Sequence, residues 1–199
     1  MRLILVVAAL LAALAAVAGL LLTRGGESAD FRGSTAPEGF ALPRFALQDD
    51  DGHVLRSSDL GGKAVAVTFL DAQCTEACPV IAAQVGQAVR SLGDERSEVE
   101  ALAISVDPAR DTPAKIDAFL RRYRAKGDLR YLDGSVAALR PLWKSFAVAS
   151  AQDTGNPNMH SAPVRVYDGD GRWRSTLHPG VDLTPANLVH DLREASDVS

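Results

Sequence analysis

Hydrophobic positions are arranged along this 199-residue chain in two different ways. Leu3 to Leu22 form one unbroken run of 20 residues without a charge. Beyond it, short apolar runs alternate with turn-forming residues. At about 1.5 Å per helical residue, the first run spans the hydrocarbon core of a bilayer, about 30 Å. It has no polar face, which excludes an ordinary amphipathic helix. The pattern predicts a single N-terminal transmembrane helix within residues 1–24. A cleaved signal sequence is the alternative, because Ala16-Val17-Ala18 before Gly19 resembles a small-residue cleavage site. The length of the run favours the uncleaved anchor. Both readings carry the remaining chain out of the cytoplasm.

Residues 25–44 are rich in Gly, Ser, Ala and Pro and read as a flexible linker. Residues 45–199 are one domain's worth of sequence. Its patterning opens with a hairpin, Phe45–Gln48 and His53–Leu55, around Asp49-Asp50-Asp51-Gly52. The acidic run of that turn reads as solvated rather than calcium-binding. Ala64 to Leu70 is apolar and β-branched, as expected of a central strand buried on both faces. Pro79 to Leu92 has helical spacing, with Pro79 suited to the first helical position and Gly93 as a stop. Val99 to Ser105 predicts a second buried strand, and Asp111-Thr112-Pro113 opens a helix to Arg124. Arg130 to Leu132 is short and strand-like. Ser135 is placed to cap a helix to about Ala147, interrupted by Pro141. Pro163–Tyr167 and Arg172–Leu177 flank Asp168-Gly169-Asp170-Gly171 as a second hairpin. Thr184-Pro185 opens a last helix. The alternation predicts an α/β fold, a mixed sheet with helices on both faces.

Composition narrows the function. With 47% hydrophobic and 23% charged residues the chain is globular, and a net charge of −4 argues against a nucleic-acid binder. Arginine outnumbers lysine 17 to 4, the mark of a GC-rich bacterial genome. The localisation expected is therefore a bacterial cytoplasmic membrane, single-pass, with the soluble domain in the periplasm or outside.

Only two cysteines are present, Cys74 and Cys78, in Asp71-Ala-Gln-Cys74-Thr-Glu-Ala-Cys78-Pro79. They follow the first central strand and open a helix, where α/β sheets place their sites. A helix N-terminus favours thiolate. A structural disulfide would close a loop worth only about 2 kcal/mol. Reactive or metal-binding cysteines are the better reading, and the spacing alone does not choose between redox and metal.

Three segments together resemble the Sco/SenC copper proteins, membrane-anchored members of the thioredoxin-like superfamily. They are TFLDAQCTEACP at Thr68–Pro79, AISVDPARDTP at Ala103–Pro113 and MHSAPVRVYDGDGR at Met159–Arg172. The resemblance covers about Phe45 to Leu192. It implies a thioredoxin-like fold and one copper ion bound by Cys74, Cys78 and His160. It also implies delivery of that copper to the dinuclear centre of cytochrome c oxidase. The partners implied are the copper-site subunit of the oxidase and a periplasmic thiol reductant or copper donor. Two departures bear on partner choice: Thr75 and Glu76 where the family often has Pro and Asp, and Arg165 where an aromatic or aliphatic residue is common.

Donor chemistry agrees with copper. Thiolates are soft ligands suited to Cu(I), and imidazole suits Cu(II) as well. Of the four histidines, His53 and His190 read as surface residues. His178 at a strand end is the rival to His160, which lies in a polar loop before the second hairpin. Asp107 in Ser105-Val106-Asp107-Pro108 is a turn residue by type, with an outer-shell role at the site as the alternative. Met159 would point away from its neighbour His160 in an extended segment. The competing function is a thiol–disulfide oxidoreductase on the same fold, keeping the cysteines of an oxidase subunit or another periplasmic target reduced. Such enzymes more often have two residues between their cysteines than the three found here.

Overall fold

The computed structural model describes residues 30–148 and 162–198. The expected apolar span of residues 1–24 lies outside them. Among the described residues no helix is long and apolar enough to cross a membrane.

Eight strands form one mixed sheet. They are β1 (Ser34–Thr35), β2 (Ala46–Asp49), β3 (Val54–Arg56), β4 (Ala64–Leu70), β5 (Val99–Ser105), β6 (Arg130–Asp133), β7 (Val164–Tyr167) and β8 (Trp173–Leu177), in the spatial order β1-β8-β7-β4-β5-β6-β2-β3. β4, β5 and β6 are parallel neighbours, and the other pairings are antiparallel. The parallel core is linked by α1 (Ala77–Ser91) and α2 (Pro113–Arg122). α3 (Val136–Ser145) and α4 (Pro185–Asp197) are the other α-helices among the described residues.

The continuous apolar runs conceal a period of two, the repeat of a strand. In β4, Ala64, Ala66 and Leu70 enter the core under α1, α2 and α4, while Val65, Val67 and Phe69 enter the core under α3. Both faces are covered, so every residue of β4 is buried. On the α3 side Phe69 packs edge-on against Phe146, ring centroids 4.9 Å apart, and the Trp143 indole donates to the Ser105 carbonyl at 2.9 Å. Ser135 and Thr184 cap α3 and α4, accepting from the amides of Ala138 and Asn187.

Two sequence expectations need correction. α1 begins at Ala77 rather than Pro79, so Cys78 lies inside its first turn. Proline is tolerated there because first-turn amides have no intrahelical acceptor. The second concerns the expected linker, residues 25–44, whose described part is docked on the domain. β1 pairs with β8, and Ala41 bridges Arg172. The cause is a buried carboxylate. Asp191 on α4 accepts from the amides of Arg32 (2.7 Å) and Gly33 (3.0 Å) and from the Ser175 hydroxyl (2.6 Å). Composition misses this because the segment is held mainly by backbone amides, with only Phe31 and Leu42 packed against the core.

Gly33 fits only because it lacks a Cβ, which would stand 2.7 Å from the Thr176 carbonyl oxygen. Gly33→Ala is expected to cost about 1–3 kcal/mol through overpacking, read as a lower urea midpoint. An unchanged midpoint would show that the segment is not held.

Candidate metal centre

The carboxyl end of β4 turns sharply at Asp71. The Asp71 side chain accepts from the Gln73 amide at 2.7 Å, and its carbonyl accepts from the Cys74 amide at 3.1 Å. This aspartate-initiated turn carries the chain from the buried strand into α1. It brings the two expected cysteines together. Cys74 is 6% exposed and Cys78 is fully buried, and both are thiols. The Cys78 sulfur interacts with the Cys74 thiol and with the Asp71 amide. Burial pushes the Cys78 thiol far above its ordinary range, against the lowering effect of the Asp71 amide. The helix N-terminus was expected to favour thiolate, and at Cys78 desolvation outweighs it.

The loop after β5 braces this turn from the side. Arg110 donates to Asp71 at 2.8 Å and also to the Asp107 carboxylate. The Asp111 carboxylate accepts from the Ala72 amide at 3.0 Å and from the Ser105 hydroxyl at 2.7 Å. The Tyr131 hydroxyl lies 2.7 Å from Asp111 and 2.8 Å from the Leu70 carbonyl. Gln73 donates to the Arg110 carbonyl and accepts from Lys115. Burial raises Asp111 to about 7, countered by the Ser105 and Tyr131 hydroxyls, while the Asp71 charge raises it further.

Asp107 fills the turn role. Its carbonyl accepts from the amides of Arg110 and Asp111, and its carboxylate is bound by Arg110. Among the described residues no group of three or more His, Cys, Asp or Glu could hold a metal ion. The cysteine pair meets no histidine donor among the described residues. His53 follows the β2–β3 turn at the opposite end of the sheet. His190 sits on α4, 3.5 Å from Asp191. His178 does follow β8 at the cysteine end, where its carbonyl gathers the amides of Val181, Asp182 and Leu183 and its ring faces Asp182 at 3.8 Å. His160 and Met159 lie outside the described residues.

Sequence reading missed the bracing set of Ser105, Arg110, Asp111 and Tyr131. The available signal was Arg110-Asp111 inside the AISVDPARDTP segment, where Asp111 reads as the start of a helix.

The SCO1/SenC family model matches residues 34–197. The chain belongs to the SCO1/SenC family. The structure of Bradyrhizobium japonicum ScoI with copper bound is 28% identical, covering 78% of this chain and 99% of that one at a TM-score of 0.67. Solution structures of apo Sco1 from Thermus thermophilus are 25% identical, covering 84% and 98%, also at a TM-score of 0.67. The SCO1 protein homolog of Bacillus subtilis is 25% identical over 165 residues, 80% of this chain and 85% of its own length. The mixed sheet is thus the thioredoxin-like fold of Sco proteins.

The bracing set carries a pH signature. The Asp111 carboxyl rises from 3.8 in the unfolded chain to about 7 in the fold. The folded state therefore holds this proton more tightly, and the stability it adds is complete below the unfolded value and lost as pH rises through the folded one. Between those values the wild type should lose a few kcal/mol relative to Asp111→Asn. Urea midpoints of both proteins across that window test this, and parallel profiles would contradict it.

Proposed function

We propose that this chain is a membrane-tethered copper carrier. It takes one copper ion as cargo through Cys74, Cys78 and His160 and delivers it to the dinuclear copper centre of cytochrome c oxidase during assembly. The apolar run of residues 3–22 holds it in the bacterial cytoplasmic membrane, with the domain on the outer side. The observation that carries the reading is the pair of adjacent, buried thiols at the end of β4. Relatives add weight, since ScoI of Bradyrhizobium japonicum is described with copper bound.

The geometry suits a soft ion better than a nucleophile's work. An attacking thiol needs exposure and a low pKa, whereas Cys78 is buried and its thiol is pushed up. A metal ion overcomes the same desolvation because it displaces the proton and its own charge compensates the thiolate. Two thiolates satisfy Cu(I), and an imidazole extends tolerance to Cu(II). His160 is two residues before Ala162, which is buried in the same core cluster as both cysteines. The role given to His160 rests on the resemblance of the Met159–Arg172 segment to the Sco/SenC proteins. Asp107 stays outside the donor set and contributes charge through Arg110.

Under reducing conditions the protein should bind one Cu(I) per chain, and Cys74→Ser or Cys78→Ser should each abolish tight binding. His160→Ala should weaken Cu(II) binding and alter its thiolate-to-metal absorption band, while His178→Ala changes neither. Full-strength binding by either serine variant, or a larger spectral effect at His178, would overturn the ligand set. Copper loading should also suppress any disulfide reductase activity of the apo-protein. Fast turnover indifferent to copper would favour the oxidoreductase instead.

A further inference from the structure

Charge is unevenly balanced beneath the cysteine turn. Two buried carboxylates, Asp71 and Asp107, share one guanidinium, that of Arg110. Asp111 adds a third buried carboxyl, beside the Ala72 amide. Arg110 is half-buried. A second cation, Lys115, is exposed and donates to Gln73 rather than to a carboxylate. Glu76, between the two cysteines, is exposed as well. Water and salt screen such exposed charges, and they screen buried pairs much less. Asp71 and its partner Arg110 are therefore the charges that bear most directly on the sulfurs.

Asp71 connects that pair to the thiols. Its amide meets the Cys78 sulfur, and its negative charge helps to push the Cys78 thiol up. Its carboxylate accepts from Arg110 at 2.8 Å, so the guanidinium stands one residue away from the sulfur. Arg110 stays charged, its pKa raised first by the Asp107 hydrogen bond. What this cation does depends on the charge of the loaded site. Two thiolates around Cu(I) carry one net negative charge, and around Cu(II) they carry none. A fixed cation nearby favours the more negative of these states, and a fixed carboxylate favours the other.

We propose that Arg110, acting through Asp71, biases the copper site toward Cu(I) over Cu(II), with Asp107 as the opposing charge. The inference rests on the copper-carrier reading given above and adds to it a positioning residue outside the donor set. With Arg110 in place, the Asp71 charge beside the sulfurs is offset. Without it, Asp71 faces them as an uncompensated buried carboxylate, which opposes the extra negative charge of the Cu(I) site. Removing the Asp107 carboxylate has the opposite effect, because the guanidinium then answers to Asp71 alone. Both changes loosen the same brace, since the two side chains are bonded to each other. Damage to the turn would therefore move both variants alike, whereas charge moves them in opposite directions.

The test uses the full chain with one equivalent of copper. Cu(I) and Cu(II) affinities are measured by competition with chelators, and the thiolate-to-Cu(II) absorption band is followed against applied potential. Arg110→Met should lower the ratio of Cu(I) to Cu(II) affinity about tenfold, a potential about 59 mV lower for one electron. Arg110→Lys keeps the charge but loses the fork, and should stay closer to the wild type than Arg110→Met does. Asp107→Asn, which keeps an oxygen acceptor for Arg110, should raise the ratio. If Arg110→Met fails to fold, the sign of the Asp107→Asn shift decides alone. An unchanged or lowered ratio in Asp107→Asn, an unchanged or raised ratio in a folded Arg110→Met, or a lysine variant shifted as far as the methionine one, would overturn the inference while leaving copper carriage intact. Failure of the wild type to take up copper would remove the carrier reading and the inference together.

Discussion

One buried carboxylate ties together the ends of the three parallel strands. Asp111 reaches the Ala72 amide after β4, the Ser105 hydroxyl on β5 and the Tyr131 hydroxyl on β6. Without it, the Ala72 amide and the Ser105 hydroxyl proton would lose their acceptor, each a cost of about 1–3 kcal/mol, while the Tyr131 hydroxyl would keep the Leu70 carbonyl. Arg110, one residue earlier, performs the outer half of the task by joining Asp71 to Asp107. The position of the cysteines follows from this pair. The turn at Asp71 is held from beneath by Asp111 and from the side by Arg110, and α1 can start only where that turn releases the chain.

Much of this was legible in the sequence. The two central strands announce themselves as unbroken apolar runs, because a strand buried on both faces has no polar face to show. Both hairpins are marked by Asp-Gly turns. The cysteine pair and its place between strand and helix could be read directly. What stayed hidden were interactions made by polar side chains at long sequence separation. Asp191 binds amides about 159 residues away, and the docked segment it holds has the composition of a linker. Asp111 reads as a helix start because its partners, Ala72 and Tyr131, are distant in sequence. The thiol environment was misjudged for a related reason. The helix N-terminus is local and visible in sequence, whereas the burial that overrides it at Cys78 is made by the packed sheet.

The chemistry of the site follows from its dryness. A buried thiol beside another thiol is a poor nucleophile at neutral pH and a poor place for an isolated negative charge. One Cu(I) in place of the two protons would bind both sulfurs directly and leave one net negative charge on the site. Membership of the SCO1/SenC family places this design among proteins such as ScoI of Bradyrhizobium japonicum, described with copper bound.

The most direct test of this account is copper K-edge X-ray absorption on the full chain loaded with one equivalent of Cu(I). The account requires a first shell with two sulfur scatterers, joined by a nitrogen that disappears in His160→Ala while both sulfurs remain. A shell with fewer than two sulfurs, or a nitrogen that persists in His160→Ala and is lost in His178→Ala, would contradict it.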